Sequence, residues 1–322
     1  MGLTTELNAQ QLAAIRHASG PACILAGAGT GKTTVIAERF QRLVETGTAP
    51  GRILVLTFSR QAADEMRLRI TSKLSGGYPR LCIGTFHSFC LEHLGLAASA
   101  AGLATPAVIT DGARQVLLMP ILGRISARYY AGIREREFLS DALTFIDRAS
   151  DELVRPDEGL RLLKAFSAGE LTDPSGSGRP APADHIDRLA DLVEAYRLYQ
   201  EELQRRNALD YGAMVARLVE RWRGHPDELA RARAAFDQIL VDEFQDTNGA
   251  QFELVRLLAA PDNRLMVVGD DDQAIYAFRG ASDRFIRRFR DFYPDAAIYD
   301  LTENHRSHQR ILDAANAAIA AA

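Results

Sequence analysis

The chain has 322 residues, of which 47% are hydrophobic and 25% are charged, as expected for a globular protein with one large or two smaller domains. Its net charge of −4 excludes an overall basic protein, so any surface that binds nucleic acid has to be local. Three cysteines are too few for a disulfide framework, and the sequence shows neither a signal peptide nor an apolar run of about 18 residues. These features predict a cytoplasmic protein without a membrane span.

Strand and helix patterns alternate through residues 1–90. Asn8 is the predicted N-cap of the first helix. Apolar runs at residues 21–25, 52–58 and 80–84 predict three strands, and helical spacing follows the first two of them. Because continuous apolar strands that alternate with helices are typical of parallel sheets, we expect an α/β fold.

A loop of small residues follows the first strand and leads directly into helical spacing. Its residues are Ala26, Gly27, Ala28, Gly29, Thr30, Gly31, Lys32 and Thr33. Such a loop lets backbone N–H groups and a helix N-terminus surround phosphate oxygens, with Lys32 at the β- and γ-phosphates and the Thr33 hydroxyl on Mg²⁺. Because Ala26 replaces the first glycine of the strict pattern, a glycine-rich turn without a ligand is the alternative interpretation.

The pattern changes between residues 91 and 207. Helical spacing fills this region without a strong strand signal, and residues 172–182 are rich in Pro, Gly and Ser, which predicts a surface loop. Strand patterns return after residue 207. We therefore expect an all-helical insertion at 91–207 that separates two parts of one α/β domain, residues 1–90 and 208–322.

Two further strands end in acidic residues. Residues 238–241 lead into Asp242 and Glu243, and residues 264–268 lead into 269–272. Ligands bind at the carboxyl ends of strands in open α/β sheets, so Asp242 would hold Mg²⁺ through its water shell and Glu243 would accept a proton from an attacking water. An apolar strand that ends in two acids is weak support by itself, since such acids often only solvate a strand end. Together with the upstream loop, it predicts a nucleotide-hydrolysing site.

Three shorter features complete the chain. Gln273 follows the second acidic strand end, where it would orient water or contact the γ-phosphate, with a polar turn as the alternative. Residues 297–299 predict a short last strand. Residues 309–322 are rich in alanine and predict a helix.

The motifs resemble, in one consistent order, those of the UvrD/Rep-like superfamily 1 DNA helicases. The segments that carry the resemblance are residues 7–11, 26–33, 57–66, 84–89, 241–247, 268–281 and 301–307. The resemblance lapses across the helical insertion. It implies a RecA-like, P-loop ATP hydrolase that uses Mg²⁺, moves 3′-to-5′ on single-stranded DNA and unwinds duplex DNA, with DNA repair as an expected setting.

The resemblance also implies roles for individual residues. The implied catalytic residues are Glu243, Lys32, Gln273 and Arg306, the last two as sensors of the γ-phosphate. The implied ATP ligands are Gln11, Ala26, Gly27, Ala28, Gly29, Thr30, Gly31, Lys32, Thr33, Thr34, His305 and Arg306, and the implied metal ligands are Thr33 and Asp242. The implied DNA contacts are Thr57, Phe58, Thr85, Phe86, His87, Tyr276, Phe278 and Arg279. Core packing is the alternative role for the four aromatic rings Phe58, Phe86, Tyr276 and Phe278.

Three residues depart from the usual family pattern. His305 stands where a tyrosine commonly stacks on adenine, Thr34 stands where an arginine near the base is common, and Phe278 replaces a tryptophan. The first two changes predict looser selectivity for adenine. The sequence also has no counterpart of the family's second RecA-like domain or of its arginine at the γ-phosphate. We therefore expect a truncated N-terminal half that binds Mg-ATP weakly, hydrolyses it slowly and does not unwind DNA processively.

Two other functions share part of this pattern. One is a helicase subunit of a helicase–nuclease recombination complex, and the other is a non-catalytic module that binds single-stranded DNA. The presence of Lys32, Asp242 and Glu243 disfavours the second alternative, because a module without catalysis does not need them.

Overall fold

The computed structural model describes residues 7–74, 80–170, 183–274 and 280–320. By their internal contacts, these residues form two compact units. The sheet unit comprises the described residues up to Phe89 and from Trp222 onward, and the helical unit is Cys90–Arg221. Residues 208–221, which the sequence pattern assigns to the second α/β part, group with the helical unit. The boundaries of the functional domains stay a prediction.

Helices and strands follow one another along the described residues in a mixed order. In chain order they are α1 (Ala9–Ile15), β1 (Ala22–Ala26), α2 (Lys32–Glu45), β2 (Ile53–Thr57), α3 (Arg60–Lys73), β3 (Cys82–Thr85), α4 (Phe86–Ala100), β4 (Ala107–Val108), α5 (Asp111–Leu122), α6 (Glu135–Asp151), α7 (Pro156–Ser167), α8 (Ala183–Arg205), β5 (Ala208–Leu209), α9 (Tyr211–Gly224), α10 (Pro226–Ala234), β6 (Gln238–Val241), α11 (Gly249–Ala259), β7 (Leu265–Gly269), α12 (Arg284–Arg287), α13 (Phe289–Phe292), β8 (Ala297–Leu301) and α14 (Gln309–Ala320). Within the described ranges, none of these helices combines the length and the apolar character needed to cross a bilayer.

A six-stranded parallel sheet, in the order β3-β2-β6-β7-β1-β8, forms the centre of the sheet unit. Strand β1 lies between β7 and β8, with Ile24 opposite both Val268 and Tyr299. Strand β6 pairs with β2 on one side and with β7 on the other. Because all these strands run in the same direction, the residues that follow β1, β6 and β7 lie at one edge of the sheet. This arrangement confirms the predicted parallel α/β fold of the RecA-like type.

Apolar side chains of β1, β7 and α2 form a continuous core beside this edge. Ile24 and Val268 on the sheet and Ile36 and Phe40 on α2 are all inaccessible to solvent. Burial of each such side chain contributes about 1.5–3 kcal/mol. Helix α2 is thereby fixed on the sheet, and its first residue, Lys32, stays at the edge where the strands end.

Side-chain caps determine where two helices begin. Asn8 Oδ1 accepts a hydrogen bond from Gln11 N at 2.8 Å, and Gln11 Oε1 accepts one from Asn8 N at 3.1 Å, which confirms the predicted cap of α1. Ser59 Oγ accepts from Ala62 N at 3.1 Å at the start of α3.

Strand β8 continues to Leu301, beyond the predicted strand at 297–299, because it pairs along the whole of β1.

The helical unit has its own core. Helices α5, α6 and α8 pack around the buried rings of Tyr130, Phe138 and Tyr199. The described part of the unit also contains a pair of two-residue parallel strands, β4 with β5, which the sequence pattern does not predict. Strands this short are not recognisable by alternation of polar and apolar residues, because they offer no repeat.

A buried polar network connects the helices of this unit. Arg114 on α5 pairs with Asp147 on α6, and its Nε lies 3.5 Å from Asp210 Oδ2. Asp210 accepts hydrogen bonds from Tyr199 Oη at 2.7 Å and from Ala213 N at 2.6 Å. Burial, followed by the charge of Asp210, raises the pKa of the Tyr199 phenol. Removal of Asp210 would leave buried donors without an acceptor.

We expect Asp210→Ala to destabilise the protein by about 3–5 kcal/mol, because it leaves the buried Arg114 guanidinium and the Tyr199 hydroxyl with fewer partners. Urea unfolding followed by far-ultraviolet circular dichroism measures this loss as a lower midpoint. Asp157→Ala is the matched control, since Asp157 pairs with Arg155 at the protein surface. Equal midpoints for the two variants would contradict the role of the network.

Candidate nucleotide-binding site

The loop between β1 and α2 has the backbone of a phosphate-binding loop. Gly29 and Gly31 have φ angles of 75° and 93°, which L-residues with side chains rarely adopt. Thr30 stabilises the turn because its N and Oγ1 both donate to Gly27 O, at 3.3 and 2.8 Å. Gly31 is the N-cap of α2, so the positive end of the helix dipole lies at this loop.

The segment that follows β8 is hydrogen-bonded to the same loop. Asn304 Nδ2 donates to Ala28 O, and His305 N donates to Gly29 O at 2.9 Å. Asn304 Oδ1 in turn accepts from Arg306 N at 2.9 Å. These bonds place Arg306, an implied γ-phosphate sensor, beside the loop. A Cβ built on Gly29 would lie only 2.7 Å from Arg306 Cβ and from Asn304 Nδ2, so Gly29 is required for this approach.

Lys32 and Glu243 meet at the sheet edge. Lys32 Nζ lies 3.1 Å from Glu243 Oε2, although the two side chains come from distant parts of the sequence. Among the described residues, this buried Nζ has no partner with hydrogen-bond geometry, even though the ion pair is short. An ammonium with unused donors beside a glycine-rich loop fits a phosphate oxygen. The motif pattern predicts this meeting of the loop with the acidic strand end.

Asp242 is 5% exposed and accepts one hydrogen bond, from Glu243 N at 3.0 Å. Burial first, and the charge of Glu243 second, raise the pKa of Asp242 to about 7. A carboxylate in this position gains from a nearby cation, and Mg²⁺ prefers oxygen ligands with part of its water shell. The chemistry of Asp242 therefore fits the predicted Mg²⁺, and the roles of Asp242 and Thr33 as its ligands stay predictions.

Two more carboxylates add negative charge to this edge. Burial raises the pKa of Asp246 to about 6, with Glu243 as the second cause. Burial also raises the pKa of Asp270, which the nearby Lys32 lowers. Because several buried carboxylates surround one lysine, the site favours additional positive charge.

Gln273 and Gln11 have partners within the protein. Gln273 Nε2 donates to Asp270 Oδ2 at the end of β7, so Gln273 lies at the same edge as the catalytic candidates. Gln11 Nε2 donates to Thr30 O at 2.9 Å, which joins α1 to the loop. Thr34 Oγ1 accepts from Arg69 Nη1 at 3.0 Å, so a guanidinium of α3 reaches Thr34 in the first turn of α2.

The residues implied to contact DNA differ in their exposure to solvent. Thr57 is fully buried, Thr85 is 7% exposed and Phe86 is 3% exposed, so the Phe86 ring belongs to the core in this structure. Phe58 and His87 are partly exposed. Tyr276, Phe278 and Arg279 lie outside the described residues. These DNA-binding roles stay predictions.

The sequence pattern assigns no role to Gln245 or to Asn304. Gln245 Nε2 donates to Glu243 Oε2 at 2.8 Å, and Asn304 contacts the loop as described above. Both residues lie within the motif segments, each within two positions of a named residue. That proximity was the available signal, but the contacts themselves depend on strand order.

We expect Gly29→Ala to reduce Mg-ADP affinity at least about tenfold, because its Cβ would displace Asn304 and Arg306 from the loop. Isothermal titration calorimetry measures the affinity. Gly20→Ala is the control, since Gly20 also has a positive φ of 84° but no atom within 4 Å of the new Cβ. Both variants carry the backbone strain of about 1–2 kcal/mol, so equal affinities would contradict the close approach.

The chain is similar in sequence to known proteins. The family described as UvrD/REP helicase N-terminal domain matches residues 7–294. The chain is 35% identical over 319 residues to "ATP-dependent DNA helicase PcrA" of Leuconostoc citreum and 36% identical over 326 residues to "ATP-dependent DNA helicase UvrD1" of Mycobacterium bovis. Both alignments cover 98% of this chain and 39% of the relative, so the chain spans about two fifths of the length of these relatives. The chain belongs to the UvrD/REP helicase family, of which it contains the N-terminal domain.

Proposed function

We propose that this chain is the N-terminal motor part of an ATP-dependent DNA helicase, in which single-stranded DNA stimulates ATP hydrolysis and hydrolysis drives 3′-to-5′ movement. The observation that carries the proposal is the 3.1 Å contact between Lys32 Nζ and Glu243 Oε2 beside the glycine-rich loop. The family match and the helicase names of the relatives support the same assignment.

The loop and Lys32 would hold the triphosphate of ATP. The loop leads directly into α2, whose first backbone N–H groups have no partner within the helix, and Lys32 supplies a donor with unused capacity. Thr33 and Asp242 would hold Mg²⁺, which when bound neutralises the charge that develops on the phosphates. In this arrangement Lys32 leaves Glu243 and turns to the phosphates.

Glu243 would accept the proton of the attacking water. Its carboxylate is partly exposed at the edge where the loop ends, and its backbone lies in the left-handed region with φ 50°. Gln273 and Arg306 approach the same edge from the ends of β7 and β8, where they would contact the γ-phosphate. The three side chains would then surround the phosphate that is transferred to water.

Gln11, Thr34 and His305 would contact the adenine. His305 is exposed next to Gly29, and its imidazole offers less stacking area than a tyrosine. Arg69 brings a guanidinium to Thr34. The base pocket would therefore discriminate weakly between adenine and guanine.

Single-stranded DNA would pass over the aromatic positions of the sheet unit. Phe58 and His87 are partly exposed beyond the ends of β2 and β3, on the same sheet edge as the nucleotide site. Tyr276 and Phe278 are the other proposed stacking residues. Stacking of bases on such rings is sequence-tolerant and contributes about 1–3 kcal/mol per base.

We expect Glu243→Gln to lower ATP turnover about a hundredfold or more, because an amide does not accept the proton of water. A coupled phosphate-release assay with and without single-stranded DNA measures the rate. Glu45→Gln at the exposed end of α2 is the control and keeps the rate of the parent chain. Absent or DNA-independent turnover in the parent chain would contradict the proposal and favour a non-catalytic DNA-binding module.

We expect His305→Tyr to raise the preference for ATP over GTP by about two- to tenfold, because a larger ring stacks better on adenine. Competition binding with the two nucleotides measures the ratio. His308→Tyr makes the same change at another exposed histidine of the segment, and it leaves the ratio unchanged. A parent chain that already discriminates sharply between the nucleotides would overturn the idea of a weakened base pocket.

A further inference from the structure

Gln245 is a buried amide that uses both ends of its side chain. It is 2% exposed, and it follows Phe244 in the short turn after β6. Its Nε2 donates to Glu243 Oε2 at 2.8 Å, and its Oε1 accepts from Asp270 N at 3.0 Å. Gln245 therefore connects the proposed proton acceptor with the end of β7.

The surroundings of Gln245 are shaped to hold this amide. A Cβ built on Gly269 would lie 2.5 Å from Gln245 Oε1, so β7 has to end in glycine for the amide to fit. Phe244 is fully buried and meets the ring of Phe289 edge-on at 6.0 Å. The backbone on one side of Gln245 and the strand end on the other are thus both fixed.

Glu243 depends on this contact once nucleotide binds. Within the described ranges, two side chains contact its Oε2, those of Lys32 and Gln245. Lys32 is needed at the phosphates, so it cannot also orient Glu243 during hydrolysis. Gln245 is the partner that remains.

The hydrogen bonds continue beyond Asp270. Asp270 Oδ2 accepts from Gln273 Nε2, and Asp270 O accepts from Gln273 N at 3.1 Å. A continuous path of hydrogen bonds therefore runs from Glu243 through Gln245 and Asp270 to Gln273. Its two ends are the proposed proton acceptor and a proposed sensor of the γ-phosphate.

We propose that Gln245 is a positioning residue that orients Glu243 and couples it to Gln273, so that the proton acceptor is in place when the γ-phosphate is sensed. This inference rests on the proposed ATP hydrolysis. Gln245 itself does not touch the reacting atoms. It acts on the rate of the chemical step and leaves the binding of Mg-ATP to the loop and Lys32.

Gln245→Glu tests the proposal with a nearly isosteric change. The new side chain still accepts from Asp270 N, but it places a carboxylate where an amide donated to Glu243. The two carboxylates then repel each other or share a proton, and either result removes Glu243 as a free acceptor. We expect kcat for ATP to fall at least about tenfold while KM changes less than about threefold.

Gln251→Glu is the matched control. Gln251 is equally buried, at 4% exposed, but its amide caps α11 through Asn248 and has no contact with Glu243. Glutamate also suits this cap, so we expect kcat to stay within about twofold of the parent. Thermal unfolding midpoints of both variants establish that they fold.

A second readout uses the double variant Gln245→Glu with Gln273→Leu. If the two residues act through one path, the combined loss of kcat is smaller than the product of the single losses. The proposal is overturned if Gln245→Glu keeps the parent kcat, if Gln251→Glu loses as much, or if the losses multiply. An inactive parent chain would instead overturn the proposed ATP hydrolysis itself, which separates the two failures.

Discussion

The ion pair between Lys32 and Glu243 is the interaction on which the site depends. It joins the first residue of α2 to the turn after β6, and it exists because β1, β7 and β6 are neighbours in one parallel sheet. The apolar contacts of α2 with the sheet hold Lys32 at the strand ends. The core therefore determines which charges meet, and the charges determine what this edge can bind.

Two buried or half-buried amides organise the rest of the edge. Asn304 joins the segment after β8 to the Ala28 carbonyl of the phosphate loop, and Gln245 joins the turn after β6 to the end of β7. Each amide bonds at once to a neighbouring backbone and to a group that carries a proposed role. Glycine at positions 29 and 269 makes room for these side chains, since a Cβ at either position would overlap them. The site is thus assembled by short polar contacts between strand ends rather than by one loop alone.

The fold could be predicted from local pattern to a large extent. The apolar runs that predicted β1, β2, β6 and β7 are confirmed because strands buried on both faces of a parallel sheet leave a continuous apolar signal. The cap at Asn8 is confirmed for a similar reason, since a capping box acts within four residues. The two-residue pair of β4 and β5 was missed because its stability comes from neighbours distant in sequence.

The candidate site was less accessible to sequence reasoning. Spacing predicted that a loop lysine and an acidic pair would share an edge, and the structure brings Lys32 and Glu243 together. The spacing of residues did not predict that Gln245 contacts Asp270, because that contact requires β6 and β7 to be adjacent and in register. The burial of Phe86 also depends on tertiary packing, which a motif does not specify. A motif specifies which side chains follow one strand, whereas the contacts between residues of different strands depend on the strand order of the sheet.

The position of β1 in the sheet affects the order in which the protein folds during translation. The two strands that pair with β1, β7 and β8, are encoded long after it. The whole helical unit is synthesised in between. A ribosome therefore releases Cys23, Ile24 and Leu25 well before the backbone groups that will pair with them exist, while the helical unit is already free to collapse on its own core. The nascent chain carries an unpaired apolar strand through most of its synthesis. A chain that stops before β8 is made leaves β1 as the exposed edge strand of the sheet.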